Sequence, residues 1–169
     1  MKANSLKELK TELQNKEKSE IIELCLKLTK NNKNNKELLS FLLFDINNIN
    51  LFVENSKSTI ESSLREISIN QYLAKKTLRK TLKETRKLIR FAEKPTVEIE
   101  LLLHFIEAAH DSGLNLNKSA VINNIIDNQF KKINTTILKL HEDLQFDYQQ
   151  KVEALLNKTK FFKPQYFDF

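Results

Sequence analysis

Gly113 is the only glycine in 169 residues, and Pro95 and Pro164 are the only prolines. No other feature constrains the fold as strongly. Hairpins, bulges and phosphate-cradling loops need backbone positions with positive φ, and glycine reaches those without a steric penalty. A chain with one glycine therefore lacks the parts for a β-rich fold or a nucleotide-binding loop. It is left with long helices separated by clusters of Asn, Lys and Ser. Hydrophobic residues make up 40% of the chain, enough to build a core, so global disorder is not expected.

Periodicity places the helices. Leu6, Leu9 and Leu13 share one face of a first helix over 5–14, and Ser5 with Glu8 fits a capping box. A second helix covers 19–29, and the cluster Asn31 to Asn35 breaks the pattern. A third, over 36–45, carries Leu38, Leu39, Phe41, Leu42, Leu43 and Phe44. It is apolar nearly all round and is expected to be central. A fourth helix follows Asn47-Asn48 and runs to Ile67, and a fifth covers 71–93. Pro95 opens a sixth, where its missing N–H costs nothing, and Ser112-Gly113 closes it near Asp111. From Asn117 to Lys158 the periodicity barely stops, and a break is expected between His141 and Asp143. The expected fold is all-α: about eight helices packed as antiparallel pairs, in a bundle or a short α-solenoid. One domain is expected over 1–158, with an aromatic tail over 159–169.

Targeting features are few. No apolar run approaches the ~18 residues that span a bilayer, and Met1 to Lys10 is polar, without a signal-peptide core. The single cysteine, Cys25, sits in an apolar helical stretch and reads as a buried structural thiol. A cytoplasmic location follows as the default. The abundance of Asn, Lys and Ile points to an AT-rich bacterial genome.

Charge is concentrated in one helix. The segment Lys75 to Lys94 holds nine basic and two acidic residues, a net of +7 against +6 for the whole chain, so the remainder sums to −1. Lys76, Arg79, Lys83, Arg86 and Arg90 are spaced by three or four residues, with Lys87 alongside, and form one stripe. Neighbouring like charges each cost a few tenths of a kcal/mol. Three things can offset that: solvent and salt, an acidic stripe on the next helix (Glu100, His104, Glu107, Asp111), or an anionic partner such as nucleic acid. The first two are the ordinary outcome for a charge run. No helix-turn-helix signature accompanies the stripe, and no aromatics are interleaved with it to stack bases.

The second distinctive segment is the tail. Phe161, Phe162, Tyr166, Phe167 and Phe169 are five of the fourteen aromatics. Each leaves roughly 1.5–3 kcal/mol of burial unused if it stays in water. The tail either folds back over the end of its own domain or docks on a partner or a second protomer.

Catalytic motifs are absent from the sequence. There is no Gly-x-Ser-x-Gly elbow, Walker loop or Gly-x-Gly-x-x-Gly turn. Glu107-x-x-His110 matches half of a di-iron bundle motif, but no second copy exists on another helix. No metal, cofactor, membrane or small-molecule substrate is expected, and the chain reads as a non-enzyme.

The opening, Leu6-Lys7-Glu8-Leu9, Glu20-Ile21-Ile22-Glu23-Leu24 and Asn35-Lys36-Glu37-Leu38-Leu39-Ser40-Phe41-Leu42, resembles a family of uncharacterised bacterial helical proteins over the N-terminal quarter. The resemblance implies an all-helical fold and no activity. Two functions stay open. The first is a protein-interaction or scaffold protein, possible through self-association. The second is a nucleic-acid-binding protein using the basic face of the helix over 71–93.

Overall fold

The computed structural model describes residues 2–65, 67–68, 70–117, 119–161 and 167. Among these there are eight α-helices and no strand. They are α1 (Leu6–Gln14), α2 (Lys18–Asn31), α3 (Lys33–Ser40), α4 (Ile49–Leu64), α5 (Gln71–Ala92), α6 (Pro95–Asp111), α7 (Ala120–Ile137) and α8 (Glu142–Thr159), with a π-helical turn at Phe41–Asp45. The all-helical expectation holds. The chain divides into two compact units, Met1–Asp45 and Ile46–Phe169. The boundary falls just before the Asn47-Asn48 loop.

Asparagine starts several of the helices. Asn32, Asn48 and Asn70 each occupy an N-cap, and each side chain accepts from backbone N–H groups of the helix that follows. Those donors would otherwise be unpaired. The Ser5–Glu8 capping box forms in both directions. The Asn31 to Asn35 cluster is a smaller break than the sequence suggests. Only Asn32 leaves helical geometry (φ −146, ψ 125), and α3 restarts at once.

The first unit buries little. None of α1, α2 and α3 contributes a buried residue. The expectation that the third helix is central is corrected here. Phe41 is buried, but Leu42, Leu43 and Phe44 are exposed, Phe44 by 78%. An apolar composition shows that a helix wants cover, not that cover is present. Cys25 is half-buried rather than buried.

The second unit is a helical bundle around α6, which packs against α4, α5, α7 and α8. Nine of its seventeen residues are buried, among them Ile99, Leu101, Phe105 and Ile106. The helix is apolar on several sides because it has neighbours on several sides. Its bounds match the sequence reading, with Pro95 at the start, Ser112 as C-cap and Gly113 at φ +82. The long C-terminal periodicity breaks at 138–141, slightly before the expected place, and His141 is the N-cap of α8. Lys160 takes a left-handed conformation (φ 48) at the end of α8. Beyond it, Phe161 and Phe167 lie against Phe130.

Candidate functional site

The basic face of α5 is amphipathic by construction. Ala74, Leu78, Thr81, Leu82 and Thr85 are buried on one side. Thr85 offsets the burial of its hydroxyl by donating to the Thr81 carbonyl at 2.9 Å. The opposite side carries the cations. Lys76, Arg79, Lys83, Arg86 and Arg90 are exposed and Lys87 is half-buried.

The six residues do not behave alike. Lys87 pairs with Glu84 on its own helix. Arg86 Nη2 donates to Gln129 Oε1 of α7 at 3.0 Å. Gln129 is 1% exposed and also donates to the Ile125 carbonyl. Arg86 therefore satisfies a buried acceptor and belongs partly to the α5–α7 junction. Lys76, Arg79, Lys83 and Arg90 form no ion pair or side-chain hydrogen bond with the described residues.

The acidic stripe of α6 does not offset that charge. Glu100 is gripped by Lys57 of α4 at 3.2 Å and Lys151 of α8 at 2.8 Å. Glu107 and Asp111 share Lys158 of α8, each at 2.8 Å. His104 Nε2 lies 3.1 Å from Glu61 Oε1, without hydrogen-bond geometry. On another side, Glu98 pairs with Lys132 of α7 at 3.3 Å and accepts from the Thr136 hydroxyl at 2.7 Å. Two pairs, Glu100–Lys151 and Glu107–Lys158, advance by seven residues on both helices, so α6 and α8 run parallel. The matched spacing of Glu100/Glu107 and Lys151/Lys158 was the sequence signal for this contact, and it was missed.

The ion pairs move proton affinities. Burial works to raise the Glu100 pKa, but hydrogen bonds from Lys151 and Lys57 outweigh it and hold the carboxyl below the ordinary range. Burial likewise opposes the charge on Lys57, and Glu54 and Glu100 more than restore it. Lys158 is raised by its hydrogen bonds to Asp111 and Glu107. Tyr148 is pushed up to about 12, by burial first and by the Glu100 carboxylate second. Lys151 Nζ also sits 4.7 Å from the Tyr148 ring centre, a cation–π distance.

An open cleft of about 520 Å³ is lined by Glu61, Arg65, His104, Glu107 and Asp111. Glu107 and Asp111 are engaged there by Lys158, and this arrangement reads as surface ion pairing. Among the described residues no group of three His, Cys, Asp or Glu is placed to hold a metal. No helix of the described residues is long and apolar enough to cross a membrane.

The aromatic tail splits. Phe161 and Phe167 are 6% and 4% exposed, with ring centres 5.5 and 6.1 Å from Phe130. Two of the five candidate docking aromatics are thus seated in their own chain and unavailable to a partner. Phe162, Tyr166 and Phe169 lie outside the described residues.

Comparison of the chain with family models, curated proteins and solved structures finds no match.

Proposed function

We propose that the chain is a non-enzymatic binding protein that engages nucleic acid through the phosphate backbone, using the exposed face of α5. One observation carries the reading. Lys76, Arg79, Lys83 and Arg90 have no partner among the described residues, while the nearby α6 acids are taken by Lys57, Lys132, Lys151 and Lys158. Internal neutralisation was one of the two ordinary outcomes for a stripe of this kind, beside a merely solvated face, and these ion pairs weigh against it. Lys76 to Arg90 spans roughly 21 Å of helix axis, long enough to follow several phosphates.

The reading implies binding without base readout, since no aromatic residue is interleaved with Lys76 to Arg90 to stack on bases. Four phosphate contacts give a slope of about −3.6 in log K against log salt on duplex DNA. Fluorescence anisotropy with labelled duplex and single strands between 50 and 200 mM salt measures it. The informative variant is K76Q/R79Q/K83Q/R90Q, with Arg86 kept because it supports Gln129. The slope should fall towards zero in the variant while its melting temperature is retained. No binding at 50 mM salt, or an unchanged slope in the variant, rejects the proposal.

A protein-interaction role is supported by a different observation, the uncovered apolar residues of the first unit. Leu6 is 85% exposed and Leu43 60%. Apolar surface gathered on one small unit marks an association site.

A further inference from the structure

The first unit is small, and among the described residues its helices α1 to α3 contribute nothing buried. Units near 40 residues usually need a disulfide, a metal or association to persist. One cysteine cannot make an internal disulfide, and no metal cluster is present among the described residues. Association is one such route, and α2 indicates with what.

The sequence of α2 is self-complementary about Cys25. Glu20 and Lys30 are equidistant from it, as are Glu23 and Lys27, Leu24 and Leu26, and Ile22 and Leu28. Glu20, Glu23, Lys27 and Lys30 also lie on one side of the helix, opposite Cys25, at about 100° per residue. All four are exposed. An open groove of about 650 Å³ follows them, lined by this stripe together with Lys16, Leu24 and Leu26. Glu23, Lys27 and Lys30 make no ion pair with the described residues. Leu24 and Leu26 flank the stripe, 41% and 50% exposed, while Ile22 and Leu28 lie farther round, towards Cys25.

We infer that α2 packs against α2 of a second copy of this chain, antiparallel, about a two-fold axis level with Cys25. A two-fold interface uses the same patch on both copies, so the patch must complement itself. In this arrangement Glu23 is level with the partner subunit's Lys27, and Glu20 with the partner subunit's Lys30. Symmetry repeats both pairs. Leu24 meets its own counterpart on one flank of the stripe, and Leu26 meets its own on the other. A parallel arrangement would set Glu against Glu and Lys against Lys. The charges therefore fix direction and register, and the flanking apolar residues supply the driving force.

Sedimentation of the full chain with charge exchange at one pair tests this. Glu20 is left unchanged because it caps α2 at Glu17. Wild type should be a dimer. E23K and K27E alone should each weaken the dimer at least tenfold, because each sets like charges together twice. An equimolar mixture of E23K and K27E should regain dimer, as should E23K/K27E in one chain. That rescue separates a lost interface from a lost fold. A wild type that stays monomeric over the whole concentration range overturns the inference. So does a dimer that E23K and K27E leave unchanged, or one that the mixture and the double exchange fail to restore.

Discussion

Phe161→Ala tests whether the tail belongs to the fold. The ring is 6% exposed and its centre is 5.5 Å from that of Phe130, which is itself fully buried. Truncating a buried Phe to Ala costs about 3–5 kcal/mol. About 0.5–1.5 kcal/mol of that is the aromatic pairing. Phe161 follows the end of α8, where neighbours can relax into the space, so the lower limit of about 3 kcal/mol applies. For a unit of this size, 1 kcal/mol lowers Tm by about 4 °C, giving a fall of about 12 °C. All three tyrosines of the sequence fall in the second unit, so the tyrosine band of near-ultraviolet circular dichroism reports that unit alone. Phe161→Leu keeps much of the volume and should cost about 1 kcal/mol. A Tm for Phe161→Ala within about 2 °C of wild type would show that the ring does not seal Phe130, and the cis reading of the tail would fall.

Three further outcomes follow from the side-chain contacts. Arg86→Ala strips the donor from buried Gln129 Oε1 and should cost about 1–3 kcal/mol, whereas Arg79→Ala should stay within about 0.5 kcal/mol; thermal melts of the pair distinguish them. Glu93 ends α5 in a left-handed conformation (φ 51), so Glu93→Gly should stabilise by roughly 0.5–1 kcal/mol in urea titration. Glu100 has a lower pKa in the fold than in the unfolded chain, so the unfolded state binds the proton more readily. Its contribution is present above the ordinary carboxyl value and is lost as pH falls through the folded one. Urea midpoints measured from neutral pH down through that window should fall less steeply for Glu100→Gln than for wild type, and parallel curves would reject this.

Local chemistry was legible and rotation was not. Pro95, Ser112 and Gly113 gave both ends of α6, and Ser5 with Glu8 gave the start of α1, because these features act within one turn of backbone. The short link between α5 and α6 correctly implied that they pack together. It did not say how far α6 is turned about its own axis, and that angle decided that Glu100, Glu107 and Asp111 meet lysines of α4 and α8 rather than the basic face of α5. The third helix failed for a related reason. Leu42, Leu43 and Phe44 announce apolar surface, but the sequence does not say whether the chain supplies anything to cover it. In the tail, the aromatic cluster identified the residues, and only the left-handed turn at Lys160 determined where Phe161 went.

The position of α6 also bears on how the second unit opens and closes. Every other helix of that unit leans on it, so its amides can exchange with solvent only when most of the unit has come apart. The peripheral helices can detach singly, each exposing one side of α6. During synthesis α4 and α5 emerge before α6, and α7 and α8 after it. The two early helices pack on each other, but the face that each turns to α6 stays uncovered until that central helix arrives.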